Sequence, residues 1–277
     1  MSYELVTGII AKEVNYNEAD RYLTILTNEY GKLECYAKGI RNQKSKLAAT
    51  AGLLSFGEYK LFKNKNRYIL TSGKLIEKFY DIRTDIVKYA YATHYLEIAR
   101  DIVMEEQPFP EAIQTLLNTL HVLVYKKLPL DFTARVYETR MLMLAGFAPI
   151  LDQCVCCGSP IVADEQSGKS KTSFSTSEFG VLCPRADCQK RDVKSIEISD
   201  GTIKALSYII SCEPKEIFSF TIGDRILKEL SMIVPRYLRS HFEREYKGLD
   251  EAERYRAFEE EIINGMPVNE GLQQKPF

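Results

Sequence analysis

The sequence predicts an α+β multidomain chain: a small five-stranded β-barrel at the N-terminus, followed by an α-helical domain with an inserted four-cysteine hairpin. Three observations predict it. The first eighty residues fall into short β-rich runs divided by turn residues. From residue 81 the apolar spacing changes to the helical period. Five of the seven cysteines lie between residues 151 and 190, where that period breaks.

The strands come first. Residues 3–14 contain LVTGII, residues 21–27 read RYLTILT, and residues 32–38 read KLECYAK after a turn at 28–31. Residues 58–63 and 68–76 form a further hairpin around Asn64, Lys65 and Asn66. Five such strands fit a small closed barrel. The oligonucleotide-binding (OB) type is a common five-stranded one, and an SH3-like barrel also fits the pattern.

The whole chain carries a net charge of only -1, but the charge is unevenly laid out. Residues 1–80 hold thirteen basic and eight acidic side chains, a balance of +5. A polyanion would therefore meet the front of the chain. The segment KGIRNQKSK, residues 38–46, places Lys38, Arg41, Lys44 and Lys46 in nine residues without an acid. Cations track phosphates while aromatic rings offer stacking faces, and Tyr36, Tyr59, Phe62 and Tyr68 are candidates for the latter. Strand alternation equally makes each a core candidate, and a charge run alone is equally a solvated loop.

The helices follow. Val87, Tyr91, Tyr95, Ile98 and Ile102 repeat at helical spacing, as do Ile113, Leu116, Leu117, Leu120 and Val124 after Pro110. Asp131 is placed to N-cap a third helix that stops near Gly146, with Pro149 beyond it. Three helices with short links make a bundle. Residues 164–172 read as an exposed loop. Helical spacing resumes near Gly201 and runs on through Leu227, Leu230, Val234 and Leu238, with a kink expected at Pro235. Residues 250–263 read as an acidic amphipathic helix and 265–277 as a frayed tail. The expected division is 1–80, 81–248 with the insertion at about 151–190, and 249–277.

Cys154-x2-Cys157 and Cys183-x4-Cys188 are two close pairs separated by a loop. Two such pairs folded together make a tetrahedron of thiolates, the donor set of a structural zinc ion with no position open for catalysis. Four free buried cysteines or a redox Cys-x-x-Cys are the alternatives. The redox motif normally opens a helix beside a sheet, and no strand precedes Cys154. Cys156 reads as a bystander, and Cys35 and Cys212 as core residues.

Nothing suggests catalysis. There is no phosphate-binding glycine loop, no dinucleotide fingerprint and no nucleophile elbow. His94, His121 and His241 stand singly in helical stretches. No apolar run approaches the roughly 18 residues of a membrane span. The opening residues lack the basic flank of a secretory leader. Seven cysteines then argue for a reducing compartment with metal or free thiols, and a cytoplasmic location is expected.

The order of parts carries a resemblance. The stretch EADRYLTILTNEYGKLECYAKGIRNQKSKL, residues 137–158 (YETRMLMLAGFAPILDQCVCCG) and FGVLC at 179–183 resemble the RecO family of bacterial recombination mediators. The likeness covers the chain to about residue 245. It implies an OB barrel that binds single- and double-stranded DNA, annealing of complementary strands, and no enzymatic activity. It also implies contact with the acidic C-terminal tail of single-stranded DNA-binding protein and, with RecR, loading of RecA onto coated strands. Lys38, Arg41, Lys44 and Lys46 match the family's cations after the third strand, and Arg140 its arginine in the helix before the first cysteine pair. An acidic tail ending in a hydrophobe needs an apolar pocket with a cation at its rim. Arg135 and Arg140 are candidates for it, and pairing of both with acids such as Glu138 is the alternative. The second cysteine pair is wider than the family's, and residues 250–263 match no family motif. A zinc-containing interaction adaptor without direct DNA binding is the competing function.

Overall fold

The computed structural model describes residues 2–65, 67–161, 172–242, 244–246 and 248–265, without the side chains of 258–265. Asn66 of the expected hairpin turn, the polar stretch up to residue 171 and the expected tail beyond Gly265 lie outside the described residues.

Five strands, β1 (Ser2–Tyr16), β2 (Asp20–Thr27), β3 (Gly31–Ala37), β4 (Phe56–Asn64) and β5 (Arg67–Glu77), close into a barrel in the order β1-β2-β3-β5-β4. All neighbours are antiparallel except β3 and β5. That crossover is the Greek-key connection of an OB barrel, which a simple meander lacks. β1 is long because it closes the barrel alone. Its first half pairs with β4 and its second half with β2, with a bulge between Ile10 and Lys12 that bends it.

The inward residues Val6, Ile10, Leu23, Ile25, Leu33, Cys35, Tyr59, Leu61 and Leu70 fill the barrel. The Tyr59 hydroxyl donates to Ser55 O at 2.9 Å, so even this polar end is satisfied. A one-turn helix α1 (Lys46–Thr50) follows the basic segment, and Leu47 and Ala51 pack against the barrel core. Five residues are too few to show a helical period, so sequence patterning does not find α1.

Beyond the barrel come α2 (Tyr80–Arg83), α3 (Ile86–Ile102), α4 (Pro110–Tyr125) and α5 (Leu130–Leu144). The cysteine hairpin holds β6 (Ser173–Ser175), β7 (Gly180–Leu182), the short α6 (Ala186–Gln189) and β8 (Ile196–Glu197). Then follow α7 (Asp200–Ser211), α8 (Asp224–Phe242) and α9 (Gly248–Gly265). Asp85 caps α3 by accepting from Lys88 N at 2.9 Å. Asp131 is not the cap of α5 but sits in its first turn, where it accepts from the Tyr91 hydroxyl. α8 continues as one helix through Pro235.

The barrel and the helices share a core. Ile9, Ala11 and Leu26 face outward from the barrel and join one apolar cluster with Tyr91, Tyr95, Leu116 and Tyr137. Two hydrogen bonds from Lys32 fasten the contact, its N–H to Met104 O and its Nζ to Arg100 O, both at 3.0 Å. The outer face of the β1–β2 pair therefore has two ends. Helices cover the end at Ile9 and Leu26, and the end at Tyr16 and Tyr22 is open.

Candidate nucleic-acid interface and metal centre

The outer surface of the barrel carries four aromatic side chains and Ile69 in direct strand register. Tyr22 pairs with Tyr36 across β2–β3, Tyr36 with Ile69 across β3–β5, Ile69 with Phe62 across β5–β4, and Phe62 with Tyr3 across β4–β1. All five alternate out of the barrel: chain neighbours Leu23, Cys35, Leu70 and Leu61 of four of them point in, and Tyr3 stands three residues before the inward Val6. The result is a belt that crosses every strand. At about 4.8 Å per strand it runs roughly 19 Å from Tyr22 to Tyr3. Tyr16 extends it at one end, with ring centroids 5.1 Å from Tyr22 and 6.1 Å from Tyr36. At the other end Tyr3 and Phe62 lie 5.2 Å apart.

Cations flank both ends. Lys38, Arg41 and Lys44 are exposed on the loop between β3 and α1, and Lys46 is exposed at the start of α1. The loop is held in shape. Gly39 N donates to Asp20 Oδ1 at 2.6 Å, Arg41 N to Ala19 O at 2.9 Å, and the Arg41 guanidinium to Asn17 O at 3.0 Å. Asp20 also accepts from the Tyr36 hydroxyl at 2.5 Å. That bond holds the Asp20 carboxyl below its ordinary range and pushes the Tyr36 phenol up to about 12. Asp20 is thus spent on positioning Tyr36 and the basic loop. At the far end Lys60 Nζ lies over the Tyr3 ring at 4.6 Å, and Lys65 and Arg67 are exposed beside the β4–β5 turn.

Of the four aromatic residues considered from sequence, Tyr36 and Phe62 lie on this surface. Tyr59 and Tyr68 do not: both face inward and are buried. Tyr3, Tyr16 and Tyr22 were missed. The signal was present for Tyr3 and Tyr22, which stand three residues and one residue from the inward Val6 and Leu23, but only the register shows that they adjoin the others.

The cysteines meet as the spacing suggests. The sulfurs of Cys154, Cys157, Cys183 and Cys188 all lie within 4.8 Å of one another. Cys157 Sγ and Cys183 Sγ are 3.7 Å apart. A tetrahedron with metal–sulfur bonds of about 2.3 Å requires a sulfur separation of about 3.8 Å. The first pair sits on a tight knuckle in which Gly158 N donates to Cys154 O at 2.8 Å, with Gly158 at φ +70°. The wide spacing of the second pair is absorbed by α6, where Cys188 N donates to Arg185 O at 3.0 Å and the turn brings Cys188 back.

The surroundings favour sulfur anions at the knuckle. Burial pushes the Cys154 thiol up, and the backbone N–H groups of Cys183, Cys157 and Cys156 outweigh it, so the net shift is downward. Hydrogen bonding with the Ser159 side chain and backbone draws Cys157 down to about 6. An all-sulfur, four-membered donor set fits a soft metal ion such as zinc. Cys156 is exposed and outside the group. Cys35 is in the barrel core, its thiol pushed up to about 12 by burial.

Arg135 and Arg140 are not at a surface. Arg135 lies 2.9 Å from Glu138 as an ion pair, and Glu138 also bonds His94 Nε2 at 2.7 Å. Arg140 Nη1 donates to the carbonyls of Ile209, Ile210 and Cys212 at 2.9–3.1 Å. Those are orphan carbonyls at the end of α7, where a cation also meets the negative pole of the helix. A pocket rim needs cations that reach solvent, and these two side chains are 5% and 4% exposed. The structure replaces the expected rim with a buried ion pair and a helix clamp.

Fold and site define the class: a barrel with an aromatic, cation-flanked outer belt, joined to a helical body with a cluster of four thiols that could hold a metal ion. The family described as recombination protein O, N terminal, matches residues 1–79, and recombination protein O, C terminal, matches residues 83–250. The chain is 38% identical to the DNA repair protein RecO of Acetivibrio thermocellus, over 90% of this chain and 96% of that protein. It is 31% identical to the RecO of Halalkalibacterium halodurans, over 72% and 74% of the two chains. The chain belongs to the RecO family of DNA repair proteins. No helix among the described residues is long and apolar enough to cross a membrane.

Proposed function

We propose that the chain is a DNA-binding recombination mediator whose barrel holds single-stranded DNA along the aromatic belt. The belt is the observation that carries this reading. Stacking on aromatic rings is tolerant of sequence, because every base has a π-face, and it leaves the pairing edges of the bases free. A strand held this way remains able to meet its complement, as annealing requires. Lys38, Arg41, Lys44 and Lys46 neutralise phosphates as the strand leaves the Tyr22 end, and duplex DNA meets the same cations.

In this reading residues 1–80 are the DNA-binding domain, 81–248 the helical body and 249–277 an addition. Cys154, Cys157, Cys183 and Cys188 hold one zinc ion, which supplies cross-linking and no chemistry. Loading of RecA with RecR onto coated strands, and contact with the tail of single-stranded DNA-binding protein, belong to the same proposal, and membership of the family is what supports them.

The test is titration of a short single-stranded oligonucleotide. Tyr22→Ala and Tyr3→Ala change exposed side chains and leave the barrel core intact. Each should weaken binding by about 1–3 kcal/mol, the usual worth of a base–aromatic stack. Wild-type affinity in both variants would overturn the reading and favour an adaptor that does not use the barrel for DNA.

A further inference from the structure

The C-terminal helix takes no part in the belt or the thiol centre, and most of it lies past residue 250, where the family match ends. It is nevertheless seated by specific contacts. Arg244 pairs with Asp101 at 2.9 Å and also with Glu97, and the Tyr246 hydroxyl donates to Asp101 at 2.9 Å. Gly248 passes so close to α3 that a Cβ there would lie 2.8 Å from the His94 Cβ. Ala252, one turn on, is fully buried. Arg256, a turn further, pairs with Asp131 at 3.3 Å and donates to the Tyr91 hydroxyl at 2.6 Å. Positions 248, 252 and 256 form one stripe of the helix. The body thus offers Glu97, Asp101 and Asp131 to a segment that carries two small residues and arginines.

The fit is incomplete. A cavity of about 300 Å³ remains between helix and body, lined by His94, Arg135 and Glu138 below and by Leu249, Asp250 and Glu253 above. His94 Nδ1 and Arg135 Nε have no hydrogen-bond partner among the described residues, although both side chains are more than nine-tenths buried. Buried polar atoms are nearly always satisfied. The ion pairs that hold the segment are partly exposed, and such pairs contribute little net stability. The segment is also anchored by Ala252 in the main apolar core, with Leu249 and Tyr246 packed against it.

We propose that the face formed by α3 and the start of α5 is a protein-docking surface for an arginine-bearing helix, kept closed by α9 as an exchangeable strap. The partner helix carries small residues one turn apart, an arginine one turn later, and a polar side chain that reaches His94 and Arg135. Charge complementarity selects it, since the surface supplies carboxylates at both ends of the groove. The proposal is independent of the DNA reading, because no belt residue is involved.

The test uses the full-length chain and a fluorescent synthetic peptide of residues 244–265. The wild-type chain takes up the peptide weakly, because its own strap competes. Arg256→Ala in the chain, with the peptide unchanged, loosens the strap and should tighten uptake about threefold. Adding Asp131→Asn to that variant should remove the gain, and Arg256→Lys should behave as wild type. Unchanged uptake with Arg256→Ala, or a gain that survives Asp131→Asn, overturns the proposal. So does loss of the folded state in Arg256→Ala by circular dichroism, because an exchangeable strap is dispensable to the fold.

Discussion

Arg140 and Glu229 show how single buried charges hold the helical body. Arg140 gathers the three carbonyls at the end of α7, and Glu229 serves the other end of the same helix. The Glu229 carboxylate accepts from Ser199 N at 2.7 Å and from the hydroxyls of Ser199 and Thr202. Arg140→Met should cost on the order of 3 kcal/mol, the worth of hydrogen bonds to a charged group together with the carbonyls left unpaired. A thermal melt with unchanged oligonucleotide affinity is the expected result. Burial pushes the Glu229 carboxyl up, and its hydrogen bonds with Ser199, Thr202 and Arg225 outweigh it, so the net shift is downward. A carboxyl with a depressed folded pKa stabilises the protein above the ordinary carboxylate range. That contribution is lost as pH falls through the folded value. Glu229→Gln should therefore be less stable than wild type at neutral pH by about 1–3 kcal/mol. The gap should narrow as acid unfolding curves are taken below pH ~4.

At the scale of elements, the thiol hairpin is the most exacting piece. Its three strands are two or three residues long, too short to stand without a cross-link. Cys154→Ser should abolish metal binding and lower the melting temperature, while leaving the salt dependence of DNA binding intact. Elemental analysis, calorimetry and titration of the same variant check the three statements. The cysteine cluster was legible in the sequence because its four members fall in two close pairs. The strands of the barrel were legible from their alternation, and α3, α4 and α5 from their period. The α1 turn carried too few residues for either signal. Arg135 pairs with Glu138, the alternative the sequence offered, whereas Arg140 misled for a different reason. A cation on an apolar helix reads the same whether it faces solvent or the carbonyls of a helix sixty to seventy residues away, and only the packing decides.

At the scale of the whole molecule, one face of the barrel is used twice. Helices bury Ile9 and Leu26 at one end of the β1–β2 pair, and the belt begins at Tyr22 on the other. Neither partition nor belt follows from composition, because both depend on which strands adjoin. The central claim is that DNA lies on this belt, with phosphates on the loop of residues 38–46. The most direct measurement is the affinity for a single-stranded oligonucleotide as a function of salt, in the wild type, in Lys44→Ala/Lys46→Ala and in Tyr22→Ala. The slope of log affinity against log salt should fall in magnitude by about 0.7 for each cation removed. Tyr22→Ala should weaken binding at every salt concentration and leave the slope unchanged. A slope that the two lysines do not alter, together with full affinity in Tyr22→Ala, would contradict the account.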